Sequence, residues 1–308
     1  VGRATFRFKF NESWTAYGSV AEGEKPGGLQ LIPVSVILPG AGGVEERIIT
    51  NDFDQERLTA YELGIKGVAF DRLGIDAAVF YNDWRDIVLR QLQETDPVSG
   101  LPLDQPTAFN VNAGDADVWG VELSTNLQIT DRWRAAATLG WIDAEMSQAQ
   151  QDNFVAFPTF APDGDVSGNK LLRQPEWDAS ASLSYEREFG NEWTGYARGD
   201  ITYQSGVYLG LDNQSWLPER SYVNARFGLR SPRYTIELWG RNLFEDESAV
   251  AAFRDISWGN TDSLTPPLAD LGARPDFDKF VPLRYTVSYP RLRQIGINFE
   301  MRFGGLVR

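Results

Sequence analysis

The feature that most constrains the fold is a series of tight turns, each lying between two stretches in which apolar and polar residues alternate. The turns are at Asn11-Glu12, Asp71-Arg72, Thr130-Asp131, Gly190-Asn191 and Ser231-Pro232. Long polar segments separate successive hairpins, at 22–57, 88–110, 144–174, 205–218 and 245–290. Alternation with a period of two predicts antiparallel strands. A consistent difference between a short-turn end and a long-loop end is typical of outer-membrane barrels, whose two ends face different compartments.

The alternating strands would fit either a membrane barrel or a water-soluble sandwich, because only the direction of the apolar face differs between the two. Two details favour the membrane. Small residues such as Ala135, Ala137 and Ala181 lie on apolar faces, and lipid fills the gaps that they leave better than a close-packed core does. Several alternating runs also reach about ten residues, the length that a tilted strand needs to cross a bilayer. We therefore predict an all-β, antiparallel transmembrane β-barrel with short periplasmic turns and long extracellular loops.

Composition excludes several other classes. The chain has 308 residues, and no apolar run approaches the roughly 18 residues of a membrane-spanning helix. Its 10 Trp, 11 Tyr and 18 Phe suit the aromatic girdles of a barrel, although core aromatics explain them too. A net charge of −14 argues against nucleic-acid binding. The absence of Cys and His excludes disulfides, thiolate metal sites, histidine-based hydrolases and zinc enzymes.

The strand count predicts an incomplete barrel. Five turn-joined pairs and a final strand make about eleven strands, and the first of them starts on the long-loop side. Bacterial barrels normally have an even number of strands and both termini in the periplasm. The chain also begins at Val1 without an initiator Met or signal peptide. We therefore expect an N-terminal part of the barrel to be missing.

Several short motifs resemble those of TonB-dependent outer-membrane receptors, in the order that the family has them. They are AYGS at 16–19, KPGG at 25–28, YELGIKG at 61–67, AVFYNDW at 78–84, NAGDA at 112–116, GVE at 120–122, RQPEW at 173–177 and LWGRNLF at 238–244. The resemblance implies a 22-stranded barrel with a plug domain in its lumen, of which this chain is the C-terminal part without the plug. Residues 1–303 then belong to the barrel and 304–308 form a C-terminal tail. Phe299 and Phe303 are the candidate assembly signal, although five residues follow Phe303.

The same resemblance implies a function and partners. The family captures a scarce solute with its external loops and plug, and a TonB complex then supplies the energy for uptake. It implies no enzyme activity and no cofactor, and it places the chain in the lipid of a Gram-negative outer membrane. The ligand expected by family frequency is a ferric siderophore, a small metal chelate, with cobalamin, haem and oligosaccharide as alternatives. A passive porin and a soluble β-sandwich binding module remain open as other functions.

Two groups of residues are candidates for this function. Charged residues on the polar faces of the strands would face the lumen: Glu62, Lys66, Glu122, Arg198, Glu237 and Arg241. They could pair with plug residues or line the solute path, or simply form a hydrated wall. Aromatic residues of the long loops could form an external ligand cup, or belong to the outer girdle: Tyr208, Trp216, Phe253 and Trp258.

Three further motifs carry weaker hypotheses. Residues 163–169 have the alternating oxygen donors of a calcium loop, but its twelfth position is Gln174 instead of Glu, so a polar turn is the better interpretation. The Gly-rich segment 40–43 lacks the spacing of a phosphate-binding loop. Asp143 and Glu145 could serve acid–base catalysis, yet carboxylates at a strand end are usually solvated. No metal site is predicted.

Overall fold

The computed structural model describes residues 1–40, 43–96, 98–151, 164–190, 192–254 and 285–303. In these residues the regular structure consists of strands, and no helix there is long and apolar enough to span a membrane. The strands are β1 (Arg3–Lys9), β2 (Trp14–Lys25), β3 (Gly28–Ile37), β4 (Val44–Phe53), β5 (Glu56–Ala69), β6 (Leu73–Thr95), β7 (Pro102–Gln128), β8 (Trp133–Ala149), β9 (Trp177–Phe189), β10 (Trp193–Gln204), β11 (Val207–Tyr208), β12 (Trp216–Leu217), β13 (Arg220–Arg230), β14 (Tyr234–Arg241), β15 (Ala251–Arg254), β16 (Tyr285–Ser288) and β17 (Gln294–Met301).

Eleven of these strands form a continuous antiparallel path, the wall, in the order β1-β2-β5-β6-β7-β8-β9-β10-β13-β14-β17, and β3 and β4 join the same 13-stranded sheet beside β7. Each strand of the wall pairs with the next wall strand along the chain. Among the described residues, β1 and β17 are the two edges, so the wall is an open part of a barrel. The prediction of about eleven antiparallel barrel strands is confirmed.

Side chains at the tight turns hold the short-turn end of the wall. The Asn11 side-chain oxygen accepts hydrogen bonds from the backbone N–H of Ser13 and Trp14, at 2.8 and 2.9 Å. In the third turn Thr130 Oγ1 accepts from the backbone N–H of Trp133 at 3.1 Å. Short polar side chains that bond to nearby backbone in this way stabilise turns. The predicted turns therefore lie where the sequence places them, with Asn191 of the fourth turn outside the described residues.

One face of the wall is apolar and exposed from edge to edge. The strand register places Phe6, Leu63, Val121 and Phe227 on this face, and each is between 41% and 66% exposed. A soluble sandwich would pack such a face against a second sheet. No second sheet covers it in the described residues, so the sandwich hypothesis is wrong, and the face has the polarity of a lipid-facing barrel surface.

Aromatic pairs mark the two borders of the apolar face. Trp133 of β8 lies beside Tyr185 of β9 with ring centroids 4.8 Å apart, near the short-turn end. Trp141 and Trp177 form the second pair on the same two strands, at 6.3 Å. The two tryptophans of β8 lie about 26 Å apart along the strand, at about 3.3 Å per residue. A strand tilt of about 35–45° makes this a height of about 20 Å, which fits within the apolar band of about 25 Å that aromatic girdles flank in an outer-membrane barrel.

The long-loop end differs from the sequence prediction, because much of it is built from strands. Strand β6 continues to Thr95 and β7 begins at Pro102, so segment 88–110 is a hairpin that extends far beyond the membrane-spanning length. Strands β3 and β4 form a second hairpin within segment 22–57, and Val36 of β3 pairs with Leu103 of β7. Pro33 and the continuous apolar run around it obscure the alternation that would have predicted β3.

The buried apolar residues of the described chain lie towards this long-loop end. One cluster, with Phe109 and Val36 fully buried, joins the β3–β4 hairpin to β7. A second surrounds Met146 of β8, and a third joins β11 and β12 to Ala249 and Ala252. The connections at this end are therefore packed on one another, whereas the membrane-spanning part of the wall buries no such core.

Candidate functional site

A pocket of about 390 Å³ at the long-loop end contains two of the predicted loop aromatics. Tyr208 of β11 and Trp216 of β12 are paired residues of the small two-stranded sheet, and both line the pocket. Lys170, Asn213 and Glu176 provide polar groups on its other sides. An aromatic surface with a few polar groups is the usual make-up of a small-molecule site. We call these five residues the loop pocket.

Side chains fix the two segments that form the loop pocket. The backbone N–H of Lys170 donates to Asn213 Oδ1 at 2.7 Å, and Asn213 Nδ2 donates to the Lys170 carbonyl at 3.0 Å. Asn169 Nδ2 adds a bond to the Leu211 carbonyl at 2.7 Å. Buried Val207 and Leu217 anchor β11 and β12 by packing in one cluster with Ala249 and Ala252. The pocket is thus held in shape by its own connections.

Lys170 also carries the main electrostatic feature of this region. Its ammonium group forms ion pairs with Asp143 and with Glu145, the latter at 2.7 Å. Burial opposes its charge, but the hydrogen bonds and charges of the two carboxylates outweigh burial, so the pKa of Lys170 is raised above its ordinary value. Lys170 therefore stays charged at neutral pH. Asp143 and Glu145 each form an ion pair with this ammonium group, so they neutralise Lys170 and do not act as an acid–base pair.

Arg173 brings a third predicted aromatic to the same region. Its backbone N–H donates to the Tyr208 carbonyl at 2.7 Å, and its guanidinium carbon lies 5.6 Å from the ring centroid of Phe253. Phe253 is itself 56% exposed. Three of the four predicted loop aromatics are therefore linked through Arg173 and the loop pocket. The fourth, Trp258, lies outside the described residues.

The six charged residues predicted to face the lumen lie on the polar face of the wall, in two groups. Arg198, Glu237 and Arg241 line an open concavity of about 620 Å³ on β10, β13, β14 and β17. Glu62, Lys66 and Glu122 lie on β5 and β7, away from it. In that second group Lys66 Nζ lies 2.5 Å from Asp76 Oδ2, which fits a hydrated wall with internal ion pairs. Their role in transport stays a prediction.

Sequence reasoning missed two residues of the polar concavity, Arg226 and Trp239. Both line it, and Arg226 is the direct cross-strand partner of Arg198 and of Trp239. The alternation of β13 already places Arg226 on the polar face. The signal that singles it out is the register between strands, which a sequence alone does not contain.

The remaining candidates have clear positions. Gly40, with φ +79°, lies in a turn shortly after β3, and residues 41–42 of the Gly-rich segment lie outside the described residues. Asp163 of the calcium-like segment lies outside the described residues, and the part of the chain that the structure describes has no cluster of metal-ligating side chains. Phe299 lies on the apolar face, with its ring centroid 6.4 Å from that of Tyr234. Phe303 follows β17 and is 85% exposed, while the predicted tail 304–308 is not among the described residues.

Comparison with protein families gives a match over most of the chain. The family described as TonB dependent receptor-like, beta-barrel, matches residues 1–243. A probable TonB-dependent siderophore receptor, PiuA, of Acinetobacter baumannii is 24% identical over 231 residues, which are 72% of this chain and 26% of that protein. The pesticin receptor of Yersinia pestis is 26% identical over 226 residues, 69% of this chain and 28% of that protein. The chain thus spans about a quarter of the length of these relatives.

Solved structures show the same fold. The ferric yersiniabactin uptake receptor FyuA of Yersinia pestis superposes with a TM-score of 0.65 at 19% identity, covering 98% of this chain and 37% of that one. The siderophore receptor PiuA of Acinetobacter baumannii gives a TM-score of 0.62 at 18% identity, covering 96% and 35%. At this level of identity the similarity establishes a shared architecture, of which this chain is a part.

Proposed function

Because this chain belongs to the TonB-dependent receptor-like β-barrel family, we propose that it forms part of the wall of a receptor that takes up a ferric siderophore with energy delivered by TonB. Barrels of this family lie in the outer membrane of Gram-negative bacteria, and the family consists of transport receptors, not enzymes. Its members bind siderophore ligands and interact with TonB. For this chain, the contact with TonB would be made by a segment other than the wall.

The observation that carries the proposal is the coincidence of the family match with an exposed apolar face on the same strands. The match covers residues 1–243, and the apolar face, bordered by aromatic pairs, runs across the strands of that segment. A wall of this polarity is stable only when lipid covers it. The loop pocket supports the second half of the proposal, since its aromatic rings offer contact area for a small chelate at the long-loop end.

Uptake of radioactive iron by intact cells tests the proposal. A strain that lacks the gene is complemented with the full-length receptor, grown under iron limitation, and offered a panel of ferric siderophores. We expect receptor-dependent uptake of at least one ferric chelate, and loss of that uptake when tonB is deleted. Trp216→Ala should weaken uptake by about fivefold or more, because truncating an aromatic residue that anchors a ligand costs about 1 kcal/mol or more.

The contrary outcomes are distinct. Uptake that persists without TonB would indicate a passive channel. Uptake of cobalamin, haem or an oligosaccharide, with no response to ferric siderophores, would mean that the substrate class is wrong. A variant with Leu172→Ala serves as the control, because Leu172 is an exposed apolar residue that follows Lys170 in the connection between β8 and β9 but does not line the loop pocket.

A further inference from the structure

Two small sheets carry three of the loop aromatics, and neither sheet pairs with the wall in the described residues. Strands β11 and β12 contain Tyr208 and Trp216, and β15 contains Phe253. One buried apolar cluster packs the two sheets against each other. Their position over the wall therefore depends on the connections that join them to it.

Asn242, of the LWGRNLF motif, is the residue at which the chain leaves β14 towards β15. It is 5% exposed, and its φ is +49°. Its side chain accepts a hydrogen bond from the Asp246 backbone N–H at 2.8 Å and donates to the carbonyls of Asp246 and Arg291, at 2.9 and 3.2 Å. Its own N–H donates to Asn224 Oδ1 at 3.1 Å. Asn242 thus connects wall strand β13, the β14–β15 connection and the segment that follows β16.

Asp246 makes the second connection to the wall. Its two carboxylate oxygens accept the backbone N–H groups of Ser221, in β13, at 2.6 Å and of Ser248 at 2.8 Å. Burial opposes ionisation of Asp246, but these hydrogen bonds and the Arg220 charge outweigh it, so the pKa of this carboxyl is lowered. The carboxylate therefore stays ionised at neutral pH and holds the start of the β14–β15 connection on β13.

We propose that Asn242 and Asp246, the turn cluster, are positioning residues for the loop pocket, an inference that rests on the proposed function. The turn cluster fixes the segment that leads into β15. Ala252 of β15 packs in one cluster with Val207 and Leu217, so β11 and β12 are held in turn. These two strands form one side of the loop pocket. All of these contacts are made within this chain, so they do not depend on the remainder of a complete receptor.

Arg173 connects the same two sheets a second time. Its backbone N–H donates to the Tyr208 carbonyl at 2.7 Å, and its guanidinium carbon lies 5.6 Å from the ring centroid of Phe253. Phe253 is the third residue of β15, so the turn cluster also determines where this ring lies. If the hairpin were free, the chelate would have to order it on binding, at a cost in affinity. The turn cluster therefore favours tight binding of the chelate and leaves the later steps of uptake unaffected.

Hydrogen exchange of the purified full-length receptor tests the turn cluster without a ligand. Asn242→Gly removes the side chain, and glycine adopts the φ of +49° without strain. The amides of Val250 and Leu209 donate to backbone carbonyls beside the two small sheets. We expect both to exchange at least about fivefold faster, the factor that one net hydrogen bond of typical strength gives. The Gly100 amide, at the tip of the β6–β7 hairpin, should keep its rate.

Glu245→Gly is the matched control. Glu245 belongs to the same turn and also has a positive φ, +59°, but its side chain forms a largely exposed ion pair with Arg293, at 3.0 Å. Exchange at Val250 and Leu209 should change by less than about twofold, because exposed ion pairs contribute little.

Asp246→Asn is the second variant of the turn cluster, and it decides the question if Asn242→Gly does not fold. Its amide group leaves one of the two bound N–H groups without an acceptor, so exchange of the Val250 and Leu209 amides should again be faster.

The uptake assay tests the effect on binding. With the radioactive ferric chelate that the wild-type receptor takes up, Asn242→Gly should raise KM several-fold and keep the maximal rate within about twofold, the pattern of a lost binding interaction. Glu245→Gly should keep both values. A purely structural defect would instead reduce the amount of folded receptor, and with it the maximal rate, at unchanged KM.

The outcomes separate the turn cluster from the function on which it rests. Unchanged exchange at Leu209 in the turn-cluster variants, an equal increase in Glu245→Gly, or an equal increase at Gly100 would overturn the coupling between the turn and the pocket. Faster exchange with an unchanged KM would overturn the role in binding. If the wild type takes up no ferric chelate, the proposed function is wrong, and hydrogen exchange still decides the coupling.

Discussion

Aromatic rings on the polar face lie directly over glycines of the neighbouring strand. The cross-strand pairs are Tyr17 with Gly64, Phe80 with Gly120, Tyr196 with Gly228 and Trp239 with Gly296. A Cβ atom added to Gly120 would lie 2.1 Å from Phe80 Cζ, far closer than van der Waals contact. Each glycine therefore supplies the space that its aromatic partner fills, and the ring covers the backbone that the glycine exposes. In the polar concavity, this contact holds the Trp239 ring on which Arg241 rests.

The Phe80–Gly120 pair allows a test of this packing. Gly120→Val should destabilise the folded receptor by about 1–3 kcal/mol, the usual cost of forcing a side chain into filled space. Gly140→Val is the control, because Gly140 lies on the same face of the next strand and its nearest neighbour to an added Cβ is 3.8 Å away. The folded fraction is measured by unheated gel electrophoresis along a urea series. Equal effects of the two substitutions would show that the loss of glycine itself, and not the ring contact, matters.

At the scale of single elements, the tip of the β6–β7 hairpin depends on one buried carboxylate. Asp96 is 1% exposed, and it accepts hydrogen bonds from the Ser99 hydroxyl and from the backbone N–H of Val98 at 2.9 Å. Arg47 of β4 lies 3.4 Å away and connects the two hairpins. Burial opposes ionisation of Asp96, but these hydrogen bonds and the Arg47 charge outweigh it, so the pKa of this carboxyl is lowered.

This shift predicts a pH-dependent hairpin tip. A carboxyl with a lowered pKa in the folded state contributes stability above its unfolded pKa of about 3.9, and the contribution is lost as the pH falls through the folded pKa. Asp96→Asn should therefore reduce the hydrogen-exchange protection of the Gly100 amide, which donates to the Asp96 carbonyl, at pH 6. The difference from the wild type should shrink as the pH falls below about 4. Asp104→Asn, at an exposed site on the same hairpin, should change nothing; a pH-independent effect of Asp96→Asn would contradict the charge explanation.

Sequence patterns predicted those elements whose determinants are local. The tight turn at Thr130 and the alternation around it follow from residues close in the chain, and both are as predicted. The sequence predicts a loop where the β3–β4 hairpin lies, because the stability of this hairpin comes from distant contacts such as that between Val36 and Leu103. The candidate site shows the same division. The sequence predicts Tyr208 and Trp216 as loop aromatics. The position of Arg226 beside Arg198 depends on the register between two strands, which the sequence does not show.

At the scale of the whole molecule, the distribution of apolar residues is inverted between the wall and the long-loop end. The wall exposes its apolar face, with side chains such as Ile297 and Leu63 at 73% and 66% exposure. The long-loop end instead buries its apolar residues, as in the cluster around Phe109. The two parts are therefore stabilised by different surroundings, the wall by lipid and the long-loop end by its own packing. Loops organised in this way can present the loop pocket without support from the membrane.

Because the apolar face of the wall is turned outward, an added charge should destabilise the barrel much more on that face than on the polar face. Two adjacent residues of β10 test this. Ile201 lies on the apolar face, 44% exposed, in the row of Ala137, which is midway between Trp133 and Trp141. Ile201→Arg should cost up to about 4 kcal/mol of folding free energy in a bilayer, because an arginine on a barrel's lipid face costs about 2–4 kcal/mol at the midplane and less towards the interfaces. Thr202→Arg puts the same charge on the polar face, where water is available, and should cost less than about 1 kcal/mol. Folding into vesicles along a urea series measures both, and a larger loss for Thr202→Arg would mean that lipid covers the other face.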